Sequence, residues 1–255
     1  MSRDSERIIG LYDENAAEWD RLRGPGSLFE KPWLDRFLGL LGPGATILDL
    51  GCGSGRPIAA YFIGCGYAVT GVDSSPALID LCRSRFPQSE WMVADMRTLE
   101  LGRRFDGAIA WDSFFHLNPD DQRAAFRVFA RHVQSRGALM FTSGGKHGEV
   151  LSEFAGEPLY HASLEPGGVS QAAARKRVSG GGACGRRPDV RPPQYLAGSE
   201  QRRFADGVVG DGVSRTLVIF RPALWRYMMG NRMDGFRHPA HPRISHLHFQ
   251  RLERE

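Results

Sequence analysis

Apolar residues recur along the first 166 positions of this chain in two rhythms, and the change from one to the other marks its organisation. Ile8, Ile9, Leu11, Tyr12, Ala16 and Trp19 fall at helical spacing, which predicts a helix across Asp4 to Asp20 that glycines at 24 and 26 break. A second run, Phe29 to Leu41, sets Trp33, Leu34, Phe37, Leu38 and Leu41 on one face, and Gly42-Pro43-Gly44 ends it. Short apolar runs follow at Ile47 to Leu50, Tyr67 to Val72, Trp91 to Ala94, Phe105 to Trp111 and Gly137 to Ser143. Helical stretches separate them. One of these helices starts at Asn118-Pro119-Asp120-Asp121, with acids in its first turn, and runs on from Gln122 to Val133. Strands alternating with helices predict an α/β fold with a mostly parallel sheet.

The most informative stretch is Ile47-Leu48-Asp49-Leu50-Gly51-Cys52-Gly53-Ser54-Gly55. An apolar strand carrying an acid runs into a loop with glycine on alternate positions, and a helix begins at Ile58. Without a Cβ in the way, such a loop brings a ligand close to main-chain N–H groups at a helix N-terminus. A dinucleotide fingerprint needs its third glycine at 56 or 58, where Arg56 and Ile58 stand. Asp49, two residues before the first glycine, suits a ligand ammonium better than a pyrophosphate. A dehydrogenase or a plain structural turn is the alternative. Two further strands end in acids, at Asp73 and at Asp95-Met96-Arg97. An acid at the tip of the second strand can accept from both ribose hydroxyls.

The acid followed by G-x-G-x-G, with the two acids after it, resembles the class I S-adenosylmethionine-dependent methyltransferases, and Asp112-Ser113-Phe114-Phe115-His116-Leu117 resembles a small-molecule subgroup of them. The resemblance spans roughly residues 8 to 166. It implies a Rossmann-like three-layer sandwich, a twisted sheet with helices on both faces: an N-terminal helical lid at 1–44 and a cofactor-binding core at 45–166. It also implies S-adenosylmethionine as cofactor, contacted by Asp49, Gly51, Cys52, Gly53, Gly55, Asp73, Ser74, Asp95, Met96 and Trp111. Ligands in open parallel sheets bind beyond the carboxyl ends of the strands near the switch point, so Asp112 and His116 should face the transferred methyl group. They are the candidate catalytic residues together with His161, a histidine being able to act as general base. Tyr12, Trp19, Phe115 and Tyr160 are candidate substrate residues, with Trp111 and Phe114 expected beside them in an aromatic pocket. The implied reaction moves a methyl group to an O, N or C atom of a small-molecule acceptor. A catalytically silent cofactor-binding protein and a nicotinamide-dependent oxidoreductase are the alternatives.

Composition narrows the setting. No stretch approaches 18 consecutive apolar residues, and Met1 to Gly10 is charged with no apolar core, so neither a membrane span nor a secretory signal is expected. Cys52, Cys65, Cys82 and Cys184 form no C-x-x-C pair, which favours reduced thiols and a cytoplasmic protein without a metal site. Neither a basic stripe nor an Asn/Asp-Pro-Pro-Tyr loop follows the fourth strand, so no nucleic-acid substrate is expected. The oligomeric state is left open.

The net charge of +4 conceals two compositions. Residues 1–166 hold 17 Lys and Arg against 22 Asp and Glu, whereas residues 167–255 hold 16 against 7. From Gly167 the periodicity dissolves into text rich in Gly and Arg, as a high-GC gene gives in the wrong frame. Back-translated and read one base later, residues 167 to about 197 allow YRKLLRxNGFxVVAHVxDDPTCGRHSIWLA, which resembles the C-terminal end of the same subgroup. Residues 167–255 are therefore expected to be an out-of-frame, poorly ordered tail, with the last strands missing or disrupted. The histidines at 238, 241, 246 and 248 and the amphipathic stretch Thr216 to Met229 are then accidents rather than sites.

Overall fold

A computed structural model describes residues 3–24, 28–144, 147–164, 206–210 and 215–220. The leading helical segment forms α1 (Arg3–Glu14), α2 (Ala16–Arg23) and α3 (Lys31–Leu38). The break between α1 and α2 at Asn15 divides what the sequence reads as one helix. Five strands follow in the expected order: β1 (Thr46–Leu50), β2 (Ala68–Asp73), β3 (Glu90–Val93), β4 (Phe105–Ala110) and β5 (Val133–Ser143). Between them lie α4 (Ile58–Gly64), α5 (Pro76–Arg85) and α6 (Pro119–His132). Ser75 caps α5, accepting from the Leu78 N–H at 3.1 Å, and Asn118 caps α6, accepting from the Asp120 and Asp121 N–H groups at 3.0 and 2.9 Å.

These strands pair in parallel in the spatial order β3-β2-β1-β4-β5, so successive connections run to one side of β1 and then to the other. The crevice beyond the carboxyl ends of β1 and β4 is the switch point, and the loops after β1, β2, β3 and β4 all open towards it. Burial on both faces explains the near-continuous apolar strands. One face packs Leu50, Phe105 and Phe141 against Phe126 and Phe129 of α6, with Phe114 in a single 3-10 turn (Phe114–His116). The other packs Ile47, Ile109 and Met140 against Leu34, Phe37, Phe62 and Ile79.

Two further features depart from the sequence reading. An antiparallel hairpin, β6 (Gly148–Phe154) and β7 (Glu157–Ser163), stands apart from the main sheet and turns through Ala155 and Gly156, both at positive φ. The expectation that the last strands are missing is corrected as well. The backbone of β8 (Asp206–Gly210) and β9 (Arg215–Phe220) continues the sheet, β9 pairing in parallel with β5 from Ala138↔Arg215 to Ser143↔Phe220. Thr216 to Phe220 is a β-branched and apolar run, suited to the open hydrogen-bonding edge that β5 presents. The rest of the expected tail, including Cys184, residues 221–229 and the four histidines from His238 to His248, lies outside the described residues.

Phe114 is fully buried, with ring centroids 4.9 Å from Phe141 and 5.6 Å from Phe126, whereas the neighbouring Phe115 is half-buried. Phe114→Ala should therefore lower the unfolding free energy by about 3–5 kcal/mol, and Phe115→Ala by clearly less, read from urea midpoints at constant slope. Equal losses would show that the two aromatics were misassigned.

Candidate active site

The glycine loop after β1 is shaped by close approach. Gly51 lies at φ +73°, and a Cβ there would fall 2.3 Å from the Ser113 Cβ, so the β1 and β4 loops touch only because position 51 lacks a side chain. A Cβ on Gly53 would lie 3.3 Å from Nε1 of Trp19, which places the lid tryptophan directly over the loop. Asp73 ties the loop to β2. One of its carboxylate oxygens accepts the Gly53 N–H at 2.9 Å and the other accepts the Ser75 N–H at 3.0 Å. A carboxylate has more lone pairs than these two donors use, compatible with the expected ribose contact. Burial raises the Asp73 pKa, partly offset by these backbone donors.

Asp49 sits beneath the loop, 2 % exposed, and its Oδ2 has no hydrogen-bond partner. Burial, with the nearby charge of Asp73 as a smaller cause, pushes its pKa up to about 7. A buried carboxylate oxygen without a donor is costly unless something supplies one. The ammonium group of S-adenosylmethionine would supply a charged donor. The donor set therefore fits this cofactor, and a pyrophosphate would instead meet like charge.

A pocket opens in front of the loop. Gly51, Gly53, Asp73, Ser74, Asp95 and Met96 line it from the sheet side, Asp112 and His116 from the β4 side, and Tyr12 and Trp19 from the lid. Ten of the expected site residues are thus brought together. Others stand off the wall. Trp111 is buried against Trp33 of α3, with ring centroids 6.0 Å apart, because β4 directs it to the opposite face of the sheet. Gly55 faces Phe86 and Cys82 of the α5 region. Cys52 is buried beside Cys82, and burial raises its thiol pKa well above the ordinary range. Phe115 and His161 pack on each other at 5.2 Å, and the Tyr160 side chain is buried. Phe114 belongs to the core.

Asp95 is engaged by Arg97. Its carboxylate receives the Arg97 N–H and Nε at 2.8 Å each, and the same guanidinium reaches Asp121 at 3.5 Å. Asp112 occupies the left-handed region at φ +50° and donates its N–H to the Thr142 hydroxyl at 2.7 Å. A non-glycine residue held there is a strained position of the kind that concentrates at functional sites.

The lid is fastened by several polar contacts. Asp13 accepts from the Ser75 hydroxyl at 2.6 Å and from the Ala77 N–H at 3.0 Å, and Asp20 pairs with Arg85 at 2.5 Å. Tyr12 stacks on Phe154 of the hairpin at 5.5 Å and meets Trp19 edge-on at 5.1 Å. Its hydroxyl lies 2.9 Å from Nε2 of His116, whose Nδ1 lies 2.8 Å from the Tyr160 carbonyl oxygen. A carbonyl can only accept, so Nδ1 carries the proton and Nε2 accepts from Tyr12. Burial pushes the His116 pKa down to about 4 against the opposing pull of the carbonyl and of Asp112, so the ring is neutral. His161 is pushed down to about 3 by burial and by His116, with its Nε2 2.9 Å from the Ser152 hydroxyl.

Asp13, Ser113 and Phe154 belong to this assembly, and sequence reasoning did not single them out. Ser113 alone carried a local signal, its place in the stretch after β4. Among the described residues, no three His, Cys, Asp or Glu side chains are placed to hold a metal ion, and no helix is long and apolar enough to cross a membrane.

Part of this chain is similar to known proteins. Residues 47–137 match the methyltransferase domain family. An O-methyltransferase of Pyrenophora dematioidea is 34% identical over 104 residues, covering 38% of each chain. The tRNA (carboxymethyluridine(34)-5-O)-methyltransferase of Arabidopsis thaliana is 32% identical over 146 residues, covering 54% of this chain and 33% of that one. The chain thus spans well under half the length of these curated relatives. Among solved structures, a TehB-like S-adenosylmethionine-dependent methyltransferase of Corynebacterium glutamicum is 24% identical and covers 64% of this chain and 82% of its own, with a TM-score of 0.48. The glycine loop and all three acid-bearing strand ends lie inside the segment that matches the methyltransferase domain family.

Proposed function

We propose that the protein transfers the methyl group of S-adenosylmethionine to a small-molecule acceptor by in-line displacement, in a cytoplasmic setting. The observation that carries this reading is the buried, unpartnered Oδ2 of Asp49 beneath a glycine loop whose neighbours fit the rest of the cofactor. Bound there, the cofactor supplies a methyl group on a sulfonium, already a good leaving group. Asp49 holds the amino group, Asp73 takes the ribose hydroxyls with its remaining lone pairs, and Ala94 and Met96 offer apolar contact for the base. Tyr12 and Trp19 cover the site and keep water out. The main contribution asked of the protein is alignment, worth up to about 7–11 kcal/mol when reacting atoms are held in line. The small-molecule acceptor is supported by a pocket roofed with aromatic side chains, and the cytoplasmic setting by the free thiols of Cys52 and Cys82. The out-of-frame origin of residues 167–255 belongs to the same proposal, and sequencing reads with an uninterrupted frame across codons 160 to 200 would end it.

Titration calorimetry with S-adenosylhomocysteine, and NADH as control, tests the cofactor assignment. Micromolar affinity for the first and none for the second is expected; no binding of the first by a chain whose circular dichroism shows a folded α/β protein would overturn it. Binding without turnover of any acceptor would identify a catalytically silent cofactor-binding protein.

The burial of Asp49 also sets a pH dependence. Its pKa in the free protein is raised to about 7, and a bound ammonium favours the ionised form, so binding releases a proton below pH 7. The dissociation constant for S-adenosylhomocysteine should rise about tenfold per unit as pH falls from 7 towards 5.5, and level off above about 8. His116 and His161, titrating near 4 and 3, stay neutral throughout this range. Asp49→Asn should remove the slope and weaken binding by about 1.5–3 kcal/mol. A flat profile in the unaltered protein, measured in buffers of different ionisation enthalpy, would contradict the assignment.

A further inference from the structure

The pocket wall is unusual in what it offers a second ligand, and this inference rests on the methyl-transfer reading above. Tyr12 donates its only hydroxyl proton to Nε2 of His116, and the proton on Nδ1 of that ring goes to the Tyr160 carbonyl. The Tyr12 oxygen therefore presents lone pairs to the pocket, and His116 has no basic nitrogen left for an incoming group. On the same wall stand the side chains of Asp112 and Asp121. The one guanidinium among the described wall residues, Arg97, is held between Asp95 and Asp121. A carboxylate or phosphate on the acceptor would meet lone pairs and negative charge here, with no cation released to receive it.

We propose that the methyl acceptor is a small amine with an apolar or aromatic body, its N–H groups held by the Tyr12 hydroxyl oxygen and the Asp112 carboxylate. Two arguments separate an amine from an alcohol. Four carboxylates against one paired guanidinium favour a ligand that arrives with positive charge. An alcohol must also lose its proton as it is methylated, and among the described wall residues no neutral-range base is available. His116 is occupied, and His161 lies off the wall against Ser152. Carboxylates, ordinarily near pKa 4, are poor bases for a hydroxyl. An amine bound as ammonium releases its proton to water far more readily than an alcohol does, so no buried base is required before attack. In its neutral form the nitrogen lone pair attacks the methyl carbon while the carbon–sulfur bond breaks and its electron pair stays on sulfur. The new N-methylammonium then sheds one proton to water. Tyr12 and Asp112 act as binding residues in this scheme, and His116 is a positioning residue that fixes Tyr12 through a single hydrogen bond.

The test uses the full chain saturated with S-adenosylhomocysteine, so that failure to bind this product identifies a failure of the methyltransferase reading itself. To the loaded protein, 2-phenylethylamine, 2-phenylethanol and phenylacetate are titrated as near-isosteric probes. The amine should bind at least tenfold more tightly than the alcohol, and the carboxylate most weakly. Asp112→Asn should erase most of the amine's advantage while the alcohol's affinity stays within about twofold. Tyr12→Phe should weaken the amine, whereas His116→Gln, which can still accept from Tyr12, should restore part of what His116→Ala loses. A carboxylate or alcohol that binds as well as the amine, absence of amine binding, or an unchanged preference in the Asp112→Asn variant would overturn the proposal.

Discussion

A carboxylate kept inside a protein with one oxygen unpartnered is the constraint around which this site is organised. Asp49 lies in β1, between β2 and β4, where both faces of the sheet are covered and water is excluded. Asp73 at the tip of β2 adds like charge nearby. Asp73 sits where β2 ends and the chain turns away, so backbone N–H groups are there to meet it. Asp73 takes two of these groups and becomes part of the loop. Asp49 takes none on Oδ2, so the fold carries an electrostatic cost that a bound cation removes.

The elements around this pair divide into those that create the loop and those that cover it. Gly51 and Gly53 bring β1, the β4 loop and the lid tryptophan within contact distance. The lid then rests on a chain of neutral contacts, from Tyr12 to His116 to the Tyr160 carbonyl, that crosses from α1 through the turn after β4 to the hairpin. Because the histidine is buried and uncharged, this chain adds no net charge beside a cofactor that is itself cationic. Ion pairs also tie the leading helices down, at the exposed Arg7–Glu157, the largely buried Asp20–Arg85 and the buried Arg23–Glu30.

What could be read in the sequence is what lies close together along it. The glycine loop follows its strand directly, and Asp73 and Asp95 terminate apolar runs, so spacing located the strands of the sheet, and the resemblance these motifs carry pointed to the sheet side of the pocket. The partners of Tyr12 and Asp13 lie 104 and 62 residues away, and no local pattern announces such pairs. The hairpin was missed because its Ala155-Gly156 turn is a weak signal and β6 exposes Val150 and Leu151 instead of alternating. Trp111 was placed in the pocket because it closes an apolar run next to Asp112. Consecutive residues at a strand end point to opposite faces, and the one that turns to the cleft is Asp112, at positive φ.

The central claim is that burial raises the Asp49 carboxyl to a pKa of about 7 in the free protein and that the cofactor's ammonium favours its ionised form. The most direct measurement is a carbon NMR titration of the protein labelled at its aspartate carboxyl groups, with the Asp49 signal assigned through Asp49→Asn, in the absence and presence of S-adenosylhomocysteine. An Asp49 resonance titrating near pH 7 in the free protein, and shifted to well below pH 5 in the complex, is the predicted result. A carboxyl that titrates near 4 in both states would contradict the account.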